Sequence, residues 1–283
     1  MKRKLLCNLM GVLLIACMSF LMQTKTMAED ISIEDTQNNV IYQLSEYESG
    51  GYTAKIKVGE GQTKLNVTTP ITDDEGNSYD IKNVAEISSV EELDEVTFGE
   101  GIEVIDGTAF KDMADDDVTV KFPSTITHIN DGFVYAIGND RSDVKVSAWL
   151  KNMAAENGVV YAGKVAIYVK EGIKDLSFKD DCVQLANGTA MGNTDITKVT
   201  IPKTVKSIGG SAFSGCTQLS NVIFEEGTVM EDLDWRAFYN CTGLTSFNVP
   251  DSVTRMGTDT FAGCTNIGII NISENSRLAL LEY

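Results

Sequence analysis

Apolar and polar residues alternate in short runs along most of the chain, and the runs recur. Val96-Thr97-Phe98, Val120-Lys121-Phe122 and Val199-Thr200-Ile201 each place two apolar side chains around a polar one. A period of two predicts short strands with one buried face and one outward face. Aromatic residues keep a fixed distance from these strands. Phe213, Phe238 and Phe261 stand nine residues before Val222, Phe247 and Ile270, and Phe213 and Phe261 follow Val199 and Phe247 by 14. From Val222 to Phe238 the distance is 16, so that unit carries two extra residues, and Trp235 is assigned to them where other units have Gly210 or Thr258. The same ruler fits Ile87, Val96 and Phe110, and with 13 residues it fits Val120 and Phe133. A weaker unit runs from Leu176-Ser177-Phe178 to Ala190-Met191, with Met191 in place of the aromatic. About six full units fill residues 90–283, with a cruder one near Leu65-Asn66-Val67.

Each unit reads as a strand, a turn marked by Pro123, Pro202 or Pro250, a second extended piece such as Val205 to Ile208, and a tight helical turn carrying Ala-Phe. A unit this small cannot bury its own apolar side, so neighbours must stack. The expected fold is therefore a repeat solenoid, β-rich with short helical turns. Its adjacent strands should lie about 4.8 Å apart. Phe110, Phe133, Phe213, Phe238 and Phe261 are expected to form a single hydrophobic column, each worth roughly 1.5 to 3 kcal/mol. Cys216, Cys241 and Cys264 recur at spacings of 25 and 23 residues, each followed by Thr and, three residues on, Leu or Ile. That recurrence favours small buried thiols over disulfides between adjacent rungs, although an even cysteine count in an exported chain also fits disulfides. Cys182 reads as a core residue.

The run Val-Thr-Ile-Pro-x-x-Val-x-x-Ile-Gly-x-x-Ala-Phe-x-x-Cys-x-x-Leu, from Val199 to Leu219, resembles the BspA-type leucine-rich repeat of bacterial surface proteins. The resemblance covers roughly residues 60–283, most closely 196–272. It implies a right-handed stack of coils in which Asn or Cys sits at the corner where the chain leaves the strand. The chain departs from the pattern at Ile87, at Met191 and between Asp112 and Asp117. The stretch from Asn157 to Tyr168 is similar to the hairpin that often interrupts such arrays, and it falls in an insertion at about 134–175. The resemblance also implies a role at the cell surface, since the family includes adhesins.

The ends place the array in a setting. Three positive charges in Met1 to Lys4, an apolar run from Leu5 to Met22 and small residues at Thr26 and Ala28 form a secretory signal peptide over residues 1–28. A rival reading lipidates Cys17 within Leu14-Ile15-Ala16-Cys17. Residues 29–39 are polar and expected to be flexible. Within an N-terminal segment of residues 29–64, Val40 to Val58 predicts a hairpin across Ser49-Gly50-Gly51 that caps the first coil. The repeat array occupies residues 65–283. A short helix is expected between Ala148 and Glu156, with Trp149, Leu150 and Met153 on one face. After Ile272 the tail from Arg277 to Tyr283 either folds over the last coil or leaves it for a partner.

Removing residues 1–28, which hold four basic and no acidic side chains, turns the net charge of −18 into −22. Such a surface disfavours nucleic acid and anionic membranes, and no further apolar stretch is long enough to insert the mature chain in a bilayer. No catalytic, cofactor or metal site is expected. His128, the single histidine, reads as an outward residue of a repeat. Asp73-Asp74-Glu75-Gly76-Asn77 and Asp115-Asp116-Asp117 lack the alternating ligands of a calcium loop and read as solvated turns. Carboxylates are plentiful, but no spacing places two in a pocket for glycoside hydrolysis. The candidate partner-binding residues are the outward strand positions Thr97, Lys121, Thr200, Ile223, Asn248 and Asn271, expected to line one continuous sheet, together with Trp235. An exported or cell-surface binding protein that recognises an extracellular protein or glycan follows. The alternatives are an accessory module or enzyme acting on extracellular polysaccharide through carboxylates of the insertion, and a structural envelope component.

Overall fold

The structure, a computed structural model, describes residues 30–107, 109–110, 118–130, 134–136, 144–146 and 148–281. The leader expected over residues 1–28, Phe133 and Asp115-Asp116-Asp117 lie outside them. The period-two segments form strands that pair in parallel from coil to coil, and their apolar residues turn inward. Val96 and Val199 are fully buried, whereas Thr97 and Thr200 between apolar neighbours are half-buried on the outer side.

This first wall is interrupted. Lys64–Val67, Glu95–Phe98 and Thr119–Lys121 form one three-stranded sheet. Asp175–Ser177, Lys198–Ile201 and Asn221–Phe224 form a second, and Ser246–Asn248 with Ile269–Asn271 a third. The expected continuous sheet face is thus corrected to three sheets. Pairing across coils depends on what lies between them, which alternation within one coil does not reveal. The longer ladders belong to the second extended piece of each unit. A six-stranded sheet ends on Val104–Asp106 and His128–Asn130, and a seven-stranded sheet runs from Val159–Ala162 and Val165–Val169 through Gln184–Leu185, Ser207–Ile208, Asp232–Leu233 and Arg255–Met256 to Leu280–Leu281.

The Ala-Phe turns form a third wall. The Ala190 amide donates to the Ala212 carbonyl at 2.7 Å, Phe213 to Ala237 at 2.8 Å and Phe238 to Thr260 at 2.9 Å. This register places Ala190, not Met191, at the aromatic position, as 14 residues counted from Leu176 also give. Met191 is half-buried and packs on the N-terminal core instead. Each turn passes through left-handed backbone at one shared position, filled by Gly188, Ser211, Arg236 and Asp259 with φ between 55° and 68°. A side chain there costs roughly 1–2 kcal/mol, which the stacked hydrogen bonds on either side offset.

The N-terminal end is closed by an antiparallel meander. Ile31–Asp35 pairs with Val40–Glu46, which pairs with Tyr52–Val58, and the last of these lies parallel on Ile81–Ser88. The hairpin is as expected, but the expected flexible segment 29–39 contains a strand. Ile31 and Ile33 alternate with Ser32 and Glu34, and the Asp35 carboxylate accepts the Gln37 and Asn38 amides to fix the turn that follows.

The hairpin Val159–Ala162 and Val165–Val169 sits inside the stack rather than beside it. Val160, Ala162, Val165 and Ile167 pack into the N-terminal core, and Val159, Ala166 and Val169 into the C-terminal one. At its tip Gly163 (φ +55°) lies where a Cβ would come 2.6 Å from the Ile126 carbonyl, and the neighbouring Lys164 amide donates to that carbonyl at 2.8 Å. Beside it the buried Gln184 side chain imitates a strand, accepting the Ile129 amide at 2.8 Å and donating to the Ile129 carbonyl at 3.1 Å. The helix spans Ala148–Asn152, with Trp149 and Leu150 buried and Met153 half-buried against the N-terminal core.

Two cores replace the expected single column because this hairpin divides it. Phe110 packs with Phe98, Phe122 and Trp149 in the first, while Phe213, Phe238 and Phe261 stack nearly parallel at 5.3 and 5.7 Å in the second. Phe238 is fully buried within that stack, and Phe261 at its end is only half-buried. Phe238→Ala is expected to lower unfolding free energy by about 3–5 kcal/mol, and Phe261→Ala by clearly less. Urea denaturation followed by circular dichroism checks the order, and equal losses would contradict the stack.

Candidate binding surface

The outward candidates come together in pairs, one per sheet. Lys121 lies opposite Thr97, Thr200 opposite Ile223 and Asn248 opposite Asn271. Lys121 is engaged by Glu95, which also meets Lys64 at 3.2 Å, so two lysines clasp one carboxylate across three coils. Lys121, and after it Lys64, hold the Glu95 carboxyl below the usual carboxylate range. Asn271 donates its amide to Asn248 at 2.7 Å, the beginning of an asparagine ladder. Ile223 is an apolar outward residue, 37% exposed. Between the second and third sheets the rings of Phe224 and Phe247 meet edge-on at 5.9 Å.

Trp235 lies on a different wall. The Ser211 amide donates to the Trp235 carbonyl and the Arg236 amide to that of Thr258, so Trp235 is in register with Gly210 and Thr258 in the turn wall. The two extra residues of its unit fall elsewhere, between Phe224 and the buried Met230, where they raise the corner around Gly227 and the exposed Val229. Trp235 stands out because its neighbours are small. Its indole lies against Gly210, where a Cβ would come 2.3 Å from Nε1, and the residue remains 43% exposed. Arg236 approaches both Trp235 and Tyr239, with its guanidinium 5.9 and 5.3 Å from the two rings. Asp259 fixes that guanidinium by accepting from Nε at 3.0 Å and Nη2 at 2.8 Å. Sequence reasoning picked out Trp235 and missed Arg236 and Tyr239, whose turn-wall register places them beside it.

The cysteines face inward. Cys216 donates to the Ala190 carbonyl at 3.2 Å, and Cys241 and Cys264 donate to the carbonyls of Phe213 and Phe238 at 3.0 Å each. All four described cysteines are free thiols and buried. The coil before Cys216 has Asn193 at this corner, and its side chain donates to the Lys170 carbonyl at 3.2 Å. Asn193 is the Asn alternative at the corner position, hidden in the sequence by the same one-residue slip that selected Met191. Burial pushes the Cys216 thiol up to about 12 and Cys182 up to about 11. The hydrogen bond with Cys264, and then burial, also push Cys241 up.

The remaining chemical candidates are accounted for locally. His128 is exposed in its strand. The Asp73 carboxylate accepts the Glu75 and Asn77 amides, the Asn77 side chain and the Tyr79 hydroxyl, which closes the hairpin between Ile71–Thr72 and Ser78–Tyr79. Among the described residues no three His, Cys, Asp or Glu side chains are placed to hold a metal ion. No helix among them is long and apolar enough to cross a membrane.

The repeats at residues 80–142 and 186–279 match the model of the BspA type leucine-rich repeat region in six copies. The chain belongs to that family. The segment left between the two matched stretches contains the hairpin that divides the cores. The repeat fold is similar to that of the pneumococcal vaccine antigen PcpA, at 14% identity over 89% of this chain and 85% of that one, with a TM-score of 0.42. It is also similar to a leucine-rich cell surface protein of Faecalibacterium prausnitzii, at 16% identity and a TM-score of 0.34. The match covers 85% of this chain and spans about half of that one, 54%. A leucine-rich repeat protein of T. pallidum shares 13% identity over 88% and 86% of the two chains, with a TM-score of 0.30. No curated protein matches the chain.

Above the ordinary thiol pKa of about 8.5 the unfolded chain loses protons that the folded chain keeps. The stability of the repeat should therefore be full below that pH and fall above it by about 1.4 kcal/mol per pH unit for each thiol that burial holds up, as it does Cys182 and Cys216. Between pH about 8 and about 10, Cys216→Ala should reduce the loss measured in urea by about 2 kcal/mol. An unchanged loss would remove Cys216 from the account. Gly210→Ala should dislodge the Trp235 indole and raise acrylamide quenching of tryptophan fluorescence, since Trp149, the other tryptophan, is buried.

Proposed function

We propose that the chain is a secreted or cell-surface binding protein that recognises an extracellular protein or glycan through the outer walls of its solenoid. The observation that carries this reading is the Trp235, Arg236 and Tyr239 group raised above the small residues Gly210, Ser211, Ser214 and Gly215 of the preceding coil. Tryptophan, tyrosine and arginine are the side chains that most often dominate interface energies. Membership in a family of bacterial surface repeats and the leader-like residues 1–28 support the extracellular setting. The pairs Thr97 with Lys121, Thr200 with Ile223 and Asn248 with Asn271 supply further outward contacts on the first wall. Among the described residues the insertion offers less to an enzyme reading, because its hairpin is buried on both faces and Glu156, Glu171 and Asp175 project into solvent.

Saturable binding of the full chain to one member of a panel of matrix proteins and glycans is expected. Trp235→Ala should weaken it by about tenfold, or about 1.4 kcal/mol, without changing the melting temperature. Binding left intact by Trp235→Ala, Lys121→Ala and Asn248→Ala combined would sink the reading.

A further inference from the structure

The indole of Trp235 lies flat on the preceding coil. A Cβ on Gly210 would come 2.3 Å from its Nε1, 2.6 Å from Cε2 and 2.9 Å from Cδ1. A point meeting the ring edge at Nε1 would stand farther from both carbons, so one face of the indole covers Gly210. With that face occupied and the residue still 43% exposed, the opposite face is open to solvent. Trp235 is therefore a platform parallel to the turn wall. It is also isolated there. Among the described residues the other exposed large apolar side chains stand elsewhere, Val229 at the raised corner and Ile223, Ile269, Ile270 and Ile272 along the first wall. A protein partner's hot spot gathers several apolar anchors inside a sealing rim. A single flat ring among Gly210, Ser211, Ser214 and Thr258 instead suits a polar ligand with one apolar face.

Beside the platform stands a fixed donor and acceptor. Arg236 and Asp259 occupy the same left-handed turn position in adjacent coils, with φ of 55° and 58°, so their side chains lie next to one another. The guanidinium donates through Nε and Nη2 to Oδ2 of Asp259 at 3.0 and 2.8 Å. Among the described residues Nη1 of Arg236 and Oδ1 of Asp259 have no hydrogen-bond partner. Two adjacent hydroxyls match them, one accepting from Nη1 and the other donating to Oδ1, in bonds that charge strengthens. The setting also selects by charge. Asp232, Asp234 and Asp259 outnumber Arg236 and Arg255 around the indole, in a chain of net charge −18, so an anionic ligand is repelled.

We propose that this group binds a neutral pyranose of a glycan, an inference that rests on the reading of the turn wall as a binding surface and narrows its partner to one class. The C–H face of the sugar stacks on the open indole face, whose negative quadrupole attracts the weakly positive hydrogens. Adjacent ring hydroxyls meet Arg236 and Asp259. Sialylated or uronic acid chains are excluded by the surrounding carboxylates.

The purified full chain is to be applied to an array of neutral oligosaccharides ending in glucose, galactose or mannose, beside sialylated counterparts and matrix proteins before and after enzymatic removal of their glycans. Saturable binding of a neutral oligosaccharide is expected, with its sialylated form bound more weakly. In solution that oligosaccharide should protect tryptophan fluorescence from acrylamide, since Trp149 is buried. Trp235→Ala should weaken binding about tenfold or more, Trp235→Phe less, and Arg236→Lys about tenfold, with the melting temperature unchanged. Absence of binding to every neutral oligosaccharide overturns the proposal, as does preference for the sialylated forms or binding indifferent to Trp235→Ala. Binding to a matrix protein stripped of its glycans that Trp235→Ala abolishes overturns the sugar assignment and leaves the binding wall standing, whereas failure of every probe on the array removes both.

Discussion

Backbone hydrogen bonds between successive coils are the constraint on which this structure rests. A coil of this size has no interior, so its apolar residues are buried only if the next coil sits at the right height and in the right register. The turn wall sets both, through the amides of Ala190, Phe213 and Phe238 donating to the coil above at 2.7–2.9 Å. Each bond contributes about 1 kcal/mol net; its larger effect is to place Phe213, Phe238 and Phe261 ring over ring and the thiols beneath neighbouring carbonyls. Burial then supplies most of the free energy.

The central hairpin changes what the same rules produce. Its strands are buried on both faces, so the N-terminal and C-terminal cores each lose a wall if it is disturbed. The second wall passes through this region by way of Lys164 and Gln184, while the first wall is broken there and again before Ser246–Asn248. One side of the solenoid is therefore a nearly continuous ladder and the other a set of short panels. The protruding aromatic group stands on neither, but on the turn wall, where left-handed backbone and small residues let neighbouring coils approach closely.

Much of the architecture was legible in residue spacing, since aromatics and cysteines recur where a stacked coil needs them, and the N-terminal and central hairpins announce themselves by alternation and glycine. The failures have physical causes. Met191 attracted the aromatic assignment because it is the larger apolar residue, yet register is set by the backbone, which places Ala190 there and Asn193 at the cysteine corner. Ile31–Asp35 has the alternation of a strand, obscured by its acidic and polar partners. The single column and the continuous face failed because spacing describes one coil and its neighbour, and a hairpin inserted between halves leaves every local spacing intact. Trp235 was recognised as exceptional for a wrong reason, and its companions Arg236 and Tyr239 emerge only when the turns are aligned by their hydrogen bonds.

The two additional residues before Met230 show how unevenly the molecule tolerates change. They are taken up entirely at the corner around Gly227, and Met230, Leu233 and Phe238 downstream remain fully buried. Loop length is inexpensive at such a place. That corner is consequently free to drift in length over generations, whereas the turn wall, where a single added residue would misalign every later rung, is held to its present size.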